Sequence, residues 1–93
     1  MMTTSAMREC DAAHVHSSAH RDELATSTSC GCFFCFRIFG YKEIDRWIDG
    51  NQTALCPKCG IDAVLGDASG FPIGDAFLRR MHRHWFTMHT KHR

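Results

Sequence analysis

The chain has 93 residues, with 11 Lys and Arg against 10 Asp and Glu and a formal net charge of +1. That length holds one small domain, and so even a balance excludes assigning a partner from net charge alone. No apolar run approaches a membrane span and residues 1–10 lack the apolar stretch of a secretory leader, so the expectation is a cytoplasmic chain whose cysteines stay reduced.

Residues 1–29 offer little to bury. Val15 and Leu24 are the only branched aliphatic residues there, and every Phe, Tyr and Trp lies after position 32. Such a segment cannot offset its chain entropy and is expected to be a disordered N-terminal tail. Its charge sets it apart too: Arg8 and Arg21 against Glu9, Asp11, Asp22 and Glu23 leave a net −2. Residues 12–25 have helix-like composition without an apolar stripe that would dock them. On this reading Cys10 is a free thiol in the tail, and His14, His16 and His20 are solvated groups able at most to capture stray metal.

The domain is then 30–93, a size at which a core needs a staple. Two cysteine pairs supply it: Cys32-Phe33-Phe34-Cys35 and Cys56-Pro57-Lys58-Cys59, in a C-x2-C-x20-C-x2-C pattern. Each short turn presents two sulfurs on one side, and two such turns suit four thiolates around one tetrahedral ion. Pro57 fixes one backbone angle and Gly60 permits a positive φ, so main-chain amides can point at sulfur. A redox-active pair is the competing use of one C-x2-C, but two pairs at this separation favour metal. Cys56-Pro57-Lys58-Cys59-Gly60 also looks like one knuckle of rubredoxin. The first pair has Phe36 where the matching glycine would stand, which favours zinc over iron. Cys30, in Cys30-Gly31-Cys32, is an alternative ligand at a looser spacing.

Between the knuckles, 37–39 reads as a short strand. Ile44, Trp47 and Ile48 share a helical face, giving a helix over 42–48 stopped by Gly50 and Asn51. Residues 53–55 read as a strand returning beside 37–39. After Cys59, 61–65 reads as one or two helical turns, and 67–74 as a loop. Asp75 is a candidate N-cap for a last helix of about 75–89, with Phe77, Leu78, Met81, Trp85 and Met88 forming its apolar stripe. The expected fold is a small α+β, treble-clef or zinc-ribbon-like metal-stabilised domain with short strands and a long C-terminal helix.

The run from Cys30 to Cys35, Ile44 with Trp47-Ile48, the run from Thr53 to Asp62, and Met81 with Trp85-Phe86 together resemble a family of small bacterial four-cysteine zinc-knuckle proteins. The resemblance covers about residues 30–86. It implies a zinc-binding fold in the bacterial cytoplasm and brings no activity and no catalytic residues.

The metal ligands expected from spacing are Cys32, Cys35, Cys56 and Cys59, holding one structural zinc. Four cysteines leave no open coordination position, and neither H-x-E nor H-E-x-x-H occurs, so an enzyme is not expected. Nuclease chemistry would need a histidine between or after the knuckles, and none lies between Cys30 and Met81. From Gly74 onward, Arg79, Arg80, Arg83, Lys91 and Arg93 face only Asp75. Arg79, Arg80 and Arg83 are therefore candidate nucleic-acid contacts. His82, His84, His89 and His92 invite a second metal site but lack a Cys or carboxylate companion. The Phe-rich first knuckle exceeds what so small a core hides, which favours a protein partner or homodimer, with nucleic acid as the alternative and no membrane.

Overall fold

Cys30-Gly31-Cys32 lies at the centre of the molecule, and its neighbours explain why. The computed structural model describes residues 4–87. Cys30–Cys32 (β1) is the middle strand of an antiparallel sheet between Ile38–Phe39 (β2) and Val64–Gly66 (β5). Cys30 pairs with Phe39 and Gly66, Gly31 with Ile38 and Leu65, and Cys32 with Val64. All residues of β1 and β5 are buried, so neither face of the sheet meets water there.

The two covers are fixed by glycines on opposite faces. A Cβ on Gly31 would lie 2.8 Å from Ile73 Cγ2 and 3.0 Å from Leu78 Cδ1, so the helix Asp75–His82 and the loop before it sit directly on β1. Gly66 pairs with Cys30, the neighbour of Gly31, and therefore faces the other way. A Cβ there would lie 2.9 Å from Leu24 Cδ2. The second cover is thus the N-terminal segment, with helices Thr4–His14 (α1) and Arg21–Ala25 (α2) joined by a 3-10 turn at Val15–Ser17.

Over residues 4–29 this corrects the expectation of an unstructured tail, and residues 1–3 lie outside the described residues. Cys10, Ala13 and Leu24 are fully buried in the same core as Phe33, Leu65, Leu78 and Met81. Polar side chains fasten what few apolar ones cannot. Arg80 pairs with Glu9 at 2.5 Å, Trp85 Nε1 donates to the Cys10 carbonyl at 3.2 Å, and His84 Nε2 meets Asp11 Oδ1 at 3.0 Å. Asp67 accepts from the Thr28 and Ser29 amides, closing the arm onto the turn after β5.

Further local expectations change. Residues 42–48 form a 3-10 turn at Tyr41–Glu43 followed by the strand Trp47–Ile48 (β3), not one helix. The strand Thr53–Ala54 (β4) pairs with β3, Trp47 opposite Ala54 and Ile48 opposite Thr53, instead of returning beside 37–39. The reason is the turn between them: Asp49, Gly50 and Asn51 have φ of 55°, 65° and 69°, the left-handed geometry that reverses a hairpin. Residues 61–65 are likewise not helical but lead into β5. The last helix (α3) runs Asp75–His82 and continues as a π-helical turn over Arg83–Thr87. Its N-cap is Gly74, with no side-chain cap bond. Asp75 pairs instead with Arg79 at 2.9 Å. Phe77, Leu78 and Met81 are buried as the stripe requires and Trp85 packs beside them, while Met88 and His89 lie outside the described residues. The result is a small α+β domain with short strands, whose four-cysteine cluster has a zinc-ribbon or treble-clef-like arrangement.

Candidate metal centre

The two knuckles are built on one backbone plan. In the first, the Cys32 amide donates to the Arg37 carbonyl at 3.0 Å and the Phe36 amide to the Cys32 carbonyl at 2.8 Å. In the second, the Cys56 amide donates to Ile61 at 3.0 Å and the Gly60 amide to Cys56 at 2.9 Å. Each turn also aims an amide at its leading sulfur: Phe34 to Cys32 Sγ and Lys58 to Cys56 Sγ, both at 3.3 Å. β1 runs into the first turn, and β4 delivers the second through Leu55.

The turns face each other. Sγ of Cys32 lies 3.7 Å from that of Cys59, and Sγ of Cys35 lies 3.7 Å from that of Cys56. All four sulfurs fall within 4.8 Å of one another. A disulfide needs sulfurs at about 2.05 Å, so these are separate thiols. A tetrahedron with metal–sulfur bonds of about 2.3 Å has edges of roughly 3.8 Å, which the two cross-knuckle distances match. The residues present therefore fit a tetrahedral thiophilic cation.

Electrostatics makes the same demand. Burial pushes the Cys32 thiol far up, against the amides of Cys35 and Phe34. Cys59 is also raised, chiefly by burial. Burial opposes ionisation of Cys56 as well, but hydrogen bonds from the Lys58 and Cys59 amides and from neighbouring thiols bring it below the ordinary value. Such a set ionises fully only with a cation among the sulfurs, so metal uptake displaces protons. Exposure is uneven, with Cys32 and Cys56 buried, Cys35 partly so and Cys59 exposed.

Cys30 is not one of the clustered residues. It sits two residues back along the extended β1, some 6–7 Å of chain from Cys32, and burial pushes its thiol up to about 11. Cys10 is buried against α3, with Sγ 4.0 Å from the Arg80 carbonyl, and burial raises its thiol too.

The remaining candidates are dispersed. Arg80 is turned inward to Glu9 and lies over Phe77, and Arg79 pairs with Asp75 while its guanidinium covers the Phe36 ring at 4.4 Å. Arg83 is exposed. His82 Nδ1 donates to the Phe33 carbonyl at 3.1 Å, and His89 and His92 lie outside the described residues. The arm histidines have partners: exposed His14 sets its ring tilted against Trp85 at 3.9 Å, His16 meets Glu23 at 2.9 Å, and His20 is buried. Of the Phe-rich knuckle, Phe33 and Phe39 are buried and Phe36 is half-covered, which leaves Phe34 at 39% exposure. Among the described residues, no helix is long and apolar enough to cross a membrane. Comparison with protein-family models, curated proteins and solved structures gives no match to this chain.

Proposed function

We propose that the chain is a zinc-stabilised binding module in the bacterial cytoplasm, with one structural Zn²⁺ held by Cys32, Cys35, Cys56 and Cys59. The observation that carries this reading is the convergence of four sulfurs within 4.8 Å from two turns distant in sequence. Four thiolates complete a tetrahedral shell, so the ion supplies stability rather than a site for substrate. Exposed Phe34 and Ile38, the latter on edge strand β2, support a protein partner or a second copy of the chain as the ligand. The nucleic-acid alternative is narrowed to Arg79 and Arg83, because Arg80 is committed to Glu9.

Elemental analysis of the purified protein is expected to give one zinc per chain and no visible absorption; a red protein containing iron would replace this reading with an electron-transfer one. Phe34→Asp combined with Ile38→Asp is expected to abolish partner capture or self-association while zinc content stays unchanged. A salt-sensitive nucleic-acid gel shift lost on changing Arg79 and Arg83 to Ala would establish the alternative instead.

A further inference from the structure

His20 joins the N-terminal arm to the β3–β4 hairpin, and both of its ring nitrogens are committed. Nδ1 lies 2.6 Å from the His16 carbonyl oxygen, which can only accept. Nε2 lies 3.0 Å from the Ala54 amide nitrogen, which can only donate. One protonation state satisfies both: neutral imidazole with its proton on Nδ1. His20 is 3% exposed, so no water can replace either partner without the arm moving. Around it the arm and hairpin share a short backbone seam. The His20 amide donates to Gln52 O at 2.8 Å, the Ala19 amide to Thr53 Oγ1 at 2.9 Å, and Arg21 reaches Asn51 O at 3.0 Å while covering the Trp47 ring.

We propose that His20 is a proton-operated latch: neutral, it holds the arm on the hairpin, and protonated, it releases it. A proton on Nε2 would set two N–H groups against each other across the Ala54 contact and place a charge in a buried seam. The charged groups facing His20 do not cancel this. Burial dominates and lowers its proton affinity, the His16 carbonyl and the Glu23 carboxylate on α2 favour the charged ring, and the His16 imidazole on the preceding turn disfavours it. Arg21 is directed to Asn51 O. From the hairpin, Asp49 is occupied as acceptor of the Thr53 hydroxyl at 2.9 Å, and Thr53 and Ala54 carry no charge. β5, on the arm's other side, presents only Val64, Leu65 and Gly66.

The sign follows directly. A histidine whose folded proton affinity is lowered contributes full stability above the free value of about 6.5, and loses it as pH falls from there through the folded value. Within that window the latched-to-released ratio falls by up to about tenfold per pH unit.

The test is NMR on the full chain between pH 7.5 and 5, with zinc content measured in every sample. At pH 7.5 the His20 ¹⁵N shifts are expected to report the Nδ1–H tautomer. As pH falls below about 6.5, exchange protection at Ala54, His20 and Ala19, corrected for intrinsic rates, is expected to drop before zinc is lost. His20→Gln, whose amide can donate and accept without titrating, is expected to remove the step, and His16→Gln to retain it. The proposal is overturned by the Nε2–H tautomer, by His20 titrating at or above 6.5 with Ala54 still protected, by loss of protection only together with zinc, or by a step that survives His20→Gln. Should His20→Gln be undocked at every pH, the wild-type tautomer and titration decide the matter alone.

Discussion

The two knuckles share a hydrogen-bond plan and differ at the residue after the second cysteine. Gly60 adopts φ +82° in one, and Phe36 adopts φ +68° in the other. For an L-residue the left-handed region costs of order 1–2 kcal/mol, a cost glycine escapes. The plan requires that geometry in both turns, because the amide of this residue closes each loop onto the leading cysteine's carbonyl. The difference lies in what surrounds the position. Gly60 has Arg46 against it, and a Cβ would lie 3.1 Å from Arg46 Nη2. Phe36 places its ring edge-on to His82 at 5.0 Å and beneath Arg79 at 4.4 Å. The second knuckle thus has an unstrained backbone, while the first accepts strain and recovers contacts from α3, fastening the metal site to the helix.

The largest test treats the knuckles as halves of one site. Removing a buried ligand, Cys32→Ser or Cys56→Ser, is expected to abolish metal binding and the cooperative thermal transition, since structural zinc contributes on the order of 10–16 kcal/mol. Cys59→Ser, at the exposed corner, is expected to weaken binding and lower Tm without abolishing either, because water can take the vacated position. Equal Tm values for all three variants and wild type would remove the metal from the stability of the fold.

The next effect is smaller and separates backbone from side chain. Gly60→Ala is expected to cost about 1–2 kcal/mol in urea unfolding. Arg46 can swing aside, so combining it with Arg46→Ala should recover little. Phe36→Gly is expected to change stability by less than about 1 kcal/mol, because relief of strain offsets the lost ring contacts. If Phe36→Gly proves the costlier change, the helix contacts outweigh the backbone term and the first knuckle is the more strongly held of the two.

How far the sequence announced this arrangement varies along the chain for physical reasons. The second knuckle was wholly legible: Cys56, Pro57, Cys59 and Gly60 each specify one piece of its geometry. So was the buried stripe of α3. The hairpin is ambiguous in sequence because Ile44, Trp47 and Ile48 also fit a helical face. Asp49-Gly50 between two short apolar pairs carries the competing hairpin signal, and tertiary pairing decided for it. The run from Ala63 to Leu65 is short enough to serve either a strand or a helix, and burial on both sheet faces removed the alternation that would have told them apart. The arm leaves little trace in sequence because its anchoring is sparse and polar. Leu24 and small Cys10 and Ala13 fill the gaps, and the rest is done by Glu9, Asp11 and His20, whose partners lie far away in sequence.

The smallest expected effect asks whether Arg79 compensates Phe36 at all. Its ion pair with Asp75 is solvent-exposed on both sides and so contributes only a few tenths of a kcal/mol. The guanidinium over the ring adds about 0.5–1 kcal/mol at such a site. Asp75→Ala removes the first contribution alone, and Arg79→Ala removes both. Arg79→Ala is therefore expected to be the more destabilising in urea unfolding, with a difference that survives added salt, because ring contact is screened less than an exposed ion pair. In a Phe36→Gly background that difference should vanish. If it persists there, Arg79 acts elsewhere on the surface, and the strained residue of the first knuckle is held by His82 and the helix without it.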